Sequence, residues 1–174
     1  MTSRKNKTYG KIIVMLVALT LQSCIPTFTF NASTINYEKT KTISIDKFPI
    51  RCAYVWAPME SMFYNTITDT YGRKTKLKIL KRNGDLQLSG EIVEYSQTNK
   101  SVAADGYSAQ TQLKLTVNVR YVNNADRTQD FEQRFSATAD YDSKLSLNSV
   151  QEQLVQEMIT DIVGQIYNST VANW

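Results

Sequence analysis

The chain contains no histidine. Ser-His-Asp and Cys-His catalysis are therefore excluded, as is every histidine-ligated metal site. Its two cysteines, Cys24 and Cys52, cannot build a disulfide framework or a zinc cluster. The six glycines form no G-x-G-x-x-G and no P-loop, so the usual phosphate cradles of nucleotide sites are missing. Asp140-Tyr141-Asp142 puts two carboxylates on one side of an extended chain. Such a pair serves general acid–base work or holds a cation. No nucleophile, further ligand or glycine-rich loop accompanies it, and a strand-end turn before the last helix is the better reading. Catalytic residues: none; metal ligands: none.

One constellation stands out. Arg73, Lys74, Lys76, Lys78, Lys81 and Arg82 place six cations in ten positions with no acid between the first and last. That is a local positive field, and Arg and Lys are the side chains that pair with phosphate. In an extended segment Lys76 and Lys78 share the face opposite Leu77 and Ile79. Two readings stay open: a ligand-facing edge, or a solvated strand face that blocks edge-to-edge aggregation.

The net charge of +4 is misleading. Arg4, Lys5, Lys7 and Lys11 lie in the first 23 residues, which carry no acid. Without that segment sixteen cations face sixteen acids, and the remainder gives no support to nucleic-acid binding. Residues 1–11 are polar and basic, and Ile12 to Leu21 is an apolar run of about ten residues, too short to span a bilayer and right for a signal-peptide core. Leu21-Gln22-Ser23-Cys24 resembles the lipobox of bacterial lipoproteins. The resemblance implies cleavage before Cys24 and covalent lipid on that residue, a membrane anchor rather than a span. The alternative is an ordinary secreted protein with an incidental cysteine. Cys52 is then read as a small buried apolar residue, or else as a lone thiol. No acid follows Cys24 in Ile-Pro-Thr-Phe-Thr-Phe, which favours a domain facing the periplasm.

The elements that must position these residues follow from periodicity. Residues 1–23 read as the signal peptide, 24–41 as a tether, and 42–174 as one α+β domain. Thr42 to Ile50 reads as a strand ended by Pro49. Ala57-Pro58-Met59-Glu60 starts a helix in which Met59, Met62, Phe63, Ile67 and Tyr71 share a face, with Gly72 as its stop. Thr75 to Leu80 reads as a short strand, then Asn83-Gly84-Asp85 as a turn. Leu86 to Ser96 reads as a strand broken at Gly90, a bulge or a close approach. Residues 97–110 read as a long polar connection. Leu113, Leu115, Val117, Val119 and Tyr121 alternate cleanly as a strand, and Asp130 to Ala139 reads as the last one. Ser149-Val150-Gln151-Glu152 has the capping-box pattern, and the stripe from Val150 through Leu154, Met158, Ile162 and Ile166 makes a helix to about Asn168. Trp174 packs back on that helix or serves a ligand. The order β-α-β-β-β-α, with strands after Thr75 pairing as antiparallel neighbours, predicts a two-layer sandwich: two helices on one face of a four-stranded sheet.

The chain resembles the LptE family of outer-membrane lipopolysaccharide-assembly lipoproteins. The matching phrases are Cys24 through Ser33, Lys41-Thr42-Ile43-Ser44-Ile45 with Phe48-Pro49, Gly84-Asp85-Leu86-Gln87-Leu88 with Gly90-Glu91-Ile92, and Leu115-Thr116-Val117-Asn118-Val119. Asp130-Phe131-Glu132-Gln133, Phe135, Ala139-Asp140-Tyr141-Asp142 and Val171-Ala172-Asn173-Trp174 complete the set. The resemblance implies two helices on a four-stranded sheet and a non-enzymatic lipoprotein at the periplasmic leaflet of the outer membrane. It implies an LptD-type β-barrel as partner, plugged and helped to assemble by this domain, and contact with lipopolysaccharide on its way to the surface. The basic run from Arg73 to Arg82 is then a candidate for the anionic glycolipid. No cofactor is expected beyond the lipid on Cys24. The alternative is a periplasm-facing lipoprotein that binds another ligand or scaffolds a different envelope complex.

Overall fold

Alternate isoleucines in Thr42-Ile43-Ser44-Ile45 face one side, and these residues form β1 (Thr42–Ile45), with Ile43 fully buried. The computed structural model describes residues 35–102 and 108–171. After β1 come α1 (Pro58–Lys74), β2 (Lys78–Leu80), β3 (Leu86–Val102), β4 (Ser108–Asn123), a short 3₁₀ turn (Arg127–Gln129), β5 (Phe131–Asp142) and α2 (Leu147–Thr170). The two-helix α+β sandwich is as expected. The sheet has five strands rather than four, in the order β2-β1-β3-β4-β5: each of the five segments read as a strand pairs into the one sheet, the Thr75–Leu80 segment shortened to a three-residue edge strand.

β2 does not pair with β3. It pairs in parallel with β1, which lies between them and is also parallel to β3. The crossover through α1 explains this: parallel neighbours need a long connection, and α1 supplies it. From β3 onward the strands are antiparallel, as expected.

Segment lengths differ from expectation in physically instructive ways. β1 stops at Ile45, but the chain stays beside β3: Asp46 N–H donates to Leu88 O at 2.9 Å and Arg51 N–H to Ile92 O at 2.8 Å. In between, Phe48 is buried and packs against Phe63 of α1, the rings tilted at 44° with centroids 4.7 Å apart. Gly90 is where that ring approaches; a Cβ there would lie 2.6 Å from Phe48 Cε1. The bulge itself sits two residues on. Leu86, Leu88 and Ile92 face the core at even positions, Val93 is skipped between Ile92 and Glu94, and the odd-numbered Tyr95 is thereby turned inward. Much of the expected 97–110 connection belongs to strands, β3 reaching Val102 and β4 starting at Ser108. Paired polar residues there, such as Thr98 opposite Gln112, keep the ladder without apolar alternation.

α1 buries Met59, Phe63, Ile67 and Tyr71, one per turn. It runs through Gly72 to Lys74, and Thr75 closes it by donating from both N–H (3.1 Å) and Oγ1 (2.7 Å) to Tyr71 O. α2 starts at Leu147, earlier than the Ser149–Glu152 pattern implies; Ser149 Oγ donates to Ser146 O and caps no amide. Its broad stripe (Leu154, Val155, Met158, Ile159, Ile162, Val163, Ile166) is buried. α2 lies over β4 and β5, and α1 packs beside it toward β2. The helices thus cover one sheet face. The other face carries Gln87, Ser89, Lys114, Asn118, Arg120, Glu132 and Arg134 and bears no helix among the described residues.

Candidate functional site

The basic run divides between three elements. Arg73 and Lys74 lie in the last turn of α1, where cations suit the negative end of the helix dipole. Both are engaged: Arg73 Nε is 2.6 Å from Asp69 Oδ1, and Lys74 Nζ lies 5.3 Å from the centroid of the Tyr167 ring. Lys76 and Lys78 are exposed while Leu77 between them is buried. Lys78 pairs with Thr42, so it stands on the helix-free face of the edge strand. Lys81 and Arg82 lie in the turn into β3, which Asn83 makes at φ 58°, a left-handed conformation that asparagine tolerates.

Arg82 enters a groove of about 400 Å³ at one end of the helix-free face. The sheet register builds its floor. Ser44, Gln87 and Val122 form one row across β1, β3 and β4, and Ser89 and Arg120 are directly opposed in the next. Two loops form the wall. The turn after β2 gives Arg82 and Asn83; the segment after β4 gives Asn124 and Arg127. They are tied together: Asn124 Nδ2 donates to Gly84 O at 3.0 Å, and Asn124 N–H to Asp85 O at 2.8 Å. Three arginines distant in sequence therefore meet, with Asp46 the single acid in the lining.

Their electrostatic states differ. Arg127 Nη1 is 3.3 Å from Asp130 Oδ2. Arg82 and Arg120 have no ion pair or side-chain hydrogen bond among the described residues. Glu132 faces Arg120 across β4–β5 but accepts from Asn118 Nδ2 at 2.8 Å instead. Elsewhere on this face Lys114 is neutralised by Glu94 at 2.9 Å, and that contact holds the Glu94 carboxyl below its ordinary range. Sequence reasoning found Arg82 and missed Arg120 and Arg127. An outward cation in the clean alternation of β4 was the available signal for Arg120.

The carboxylates of Asp140-Tyr141-Asp142 are structural. Asp140 accepts from Lys100 Nζ (2.6 Å) and Gln112 Nε2 (2.9 Å), while Asp142 accepts from the backbone N–H of Lys144 (2.9 Å) and starts the turn into α2. No group of three or more acids or thiols suited to a metal ion occurs among the described residues. Cys52 is half-buried rather than buried, packs against the core and donates weakly to Tyr54 O at 3.1 Å. Cys24, residues 1–23 that read as a signal peptide, and Trp174 lie outside the described residues.

Fold and surface together define a class: a small α+β domain with one face sealed by two helices and a polar, partly basic face left open. The chain belongs to the LptE lipopolysaccharide-assembly family, whose model matches residues 40–170. No curated protein matches the sequence. Among solved structures it is similar to the rare lipoprotein B of Shewanella oneidensis (15% identity, 72% of this chain and 92% of that one, TM-score 0.52). It is also similar to a hypothetical protein of Chlamydia trachomatis (12% identity, 77% and 99%, TM-score 0.53) and to a protein of Xanthomonas campestris (9% identity, 78% and 85%, TM-score 0.53). At these identities the likeness shows the fold.

Proposed function

We propose that this chain is a non-enzymatic outer-membrane lipoprotein that helps to assemble and plug an LptD-type β-barrel and assists lipopolysaccharide transport to the cell surface. The observation that carries the reading is the family match across the whole folded domain, from just before β1 to the end of α2. The mechanism is interface chemistry. Lipid on Cys24 holds the domain at the periplasmic leaflet. The domain enters the barrel lumen, where a polar sheet face suits a water-lined wall. The basic edge from Arg73 to Arg82 meets the phosphates of the glycolipid, with Lys76, Lys78, Lys81 and Arg82 the cations not already engaged by a neighbour among the described residues.

Affinity purification of a tagged, detergent-extracted form tests this. The expected result is a large β-barrel recovered in stoichiometric amount. Recovery of the lipoprotein alone, from cells that contain that barrel, overturns the assembly role and moves the function to another envelope ligand or complex.

A further inference from the structure

We propose that the groove between the β2–β3 turn and the β4–β5 connection binds an anionic sugar, a ring carrying a phosphate or carboxylate, through Arg82, Arg120 and Arg127. Three observations converge. The arginines come from three separate stretches and line one groove. Two of them have no partner among the described residues, whereas Lys114 on the same face is paired with Glu94. Beside Leu88, Val122 and Asp46, the rest of the lining is amides and hydroxyls (Ser44, Asn83, Gln87, Ser89, Asn124), the partners that sugar hydroxyls take, and about 400 Å³ lies in the range of small-ligand sites.

The geometry favours a compact anion over an extended acidic peptide. A guanidinium offers five N–H donors in a planar fork, matched to the paired oxygens of phosphate or carboxylate. Arg127 spends part of its fork on Asp130 at 3.3 Å. Arg82 and Arg120 are left to clamp the anion from the wall and the floor. Asp46, the lone acid, is suited to accept from a ring hydroxyl on the far side. The loops that carry Arg82 and Arg127 are fixed to each other through Asn124 and Gly84, so the backbone of the wall is set before ligand arrives. The sugar can be lipid-borne, the headgroup of a glycolipid, or a soluble sugar phosphate. In the lipid-borne case the inference rests on the transport reading above and names where the glycolipid's anion is held.

The test uses the full chain purified in detergent. The probes are N-acetylglucosamine phosphate, neutral N-acetylglucosamine, and micelles containing lipid A or dephosphorylated lipid A. Binding is read by calorimetry and by NMR shifts. Phosphorylated probes are expected to bind and neutral ones not. Arg82→Ala and Arg120→Ala should each weaken binding about tenfold, and Arg120→Lys should weaken it too because the fork is lost. Both sites are exposed, so thermal unfolding of the variants should match the parent. Arginine-dependent binding of the soluble probe supports the groove with a soluble or lipid-borne source, and arginine-dependent binding of lipid A alone supports it with a lipid-borne one. Equal binding of neutral probes, or no binding of any phosphorylated probe, overturns the proposal. Lipid A binding that survives both alanine variants overturns the groove and leaves the transport reading standing. Failure to recover the barrel, with arginine-dependent sugar-phosphate binding intact, does the reverse.

Discussion

Asp85 shows how one side chain sets the geometry of the groove. Its Oδ2 accepts from Lys41 N–H (2.9 Å), Thr42 N–H (3.0 Å) and Thr42 Oγ1 (2.8 Å), and Thr42 Oγ1 accepts from Asp85 N–H in return. These bonds stabilise the ionised form and hold the carboxyl below its ordinary value of 3.8. Because the folded-state value is depressed, the stabilisation is fully present above the unfolded value. It is lost as pH falls through the lower folded value. Asp85→Asn should cost about 1–2 kcal/mol at neutral pH, the site being partly open to water. In urea titrations the gap to the parent should close as pH falls below the ordinary carboxylate range; a gap that persists in acid would show that the charge is not what matters. Gly90 makes a second residue-scale case. Gly90→Ala drives a methyl into the Phe48 ring and the backbone of β4 and should cost about 1–3 kcal/mol. Gly164→Ala, with open space around its position in α2, should instead stabilise by up to about 1 kcal/mol. The same unfolding curves check both. In the sequence Gly90 read equally as a bulge or as a close approach. The deciding neighbour, Phe48, is 42 positions earlier, beyond any local pattern.

At the level of elements, the helices were legible because their stripes are long and strictly spaced. Met59, Phe63, Ile67 and Tyr71 need no partner to declare a face. β4 was legible for the same reason at period two. The errors fall where pairing is decided by something other than hydrophobic period. The β3–β4 ladder continues through polar residues, and β2 finds β1 only because α1 carries the chain back. Arg120 and Arg127 were illegible as a site for that reason: strand register and a loop tie bring them to Arg82. The two helices are also joined by a polar contact that periodicity does not show. Tyr71 Oη lies 2.5 Å from Thr170 Oγ1 in a buried setting, and burial raises the Tyr71 phenol far above its ordinary range. Thr170 Oγ1 keeps a second partner in Ile166 O at 2.8 Å. Removing the phenol therefore orphans nothing, and Tyr71→Phe should cost about 1 kcal/mol in denaturant unfolding. In a double-mutant cycle with Thr170→Val the coupling should be of the same order. A coupling near zero would mean that this hydroxyl pair adds nothing to the apolar stripes and to the other contacts between the helices, such as Gln156 Nε2 to Thr66 Oγ1 and Tyr167 Oη to Lys74 O.

For the whole molecule, the division of labour between faces decides what can be separated experimentally. The core of the folded domain is built from the helix-covered face, running from Ile43 in β1 to Ile166 in α2. No helix among the described residues is long and apolar enough to cross a membrane. In the reading proposed above, membrane residence rests on one covalent event at Cys24, while folding rests on that core. Acyl chains contribute about 0.8 kcal/mol per buried CH₂, so their loss abolishes anchoring without touching any packed side chain in the domain. Cys24→Ala should then abolish fatty-acid labelling and shift the chain from the outer-membrane fraction of a density gradient to the soluble fraction. The thermal unfolding midpoint of the purified domain should not change. Membrane fractionation that survives without label would show that the barrel or another partner holds the chain in place. A fall in the midpoint would show that the segment around Cys24 belongs to the fold, and the separation of anchor from domain would have to be abandoned.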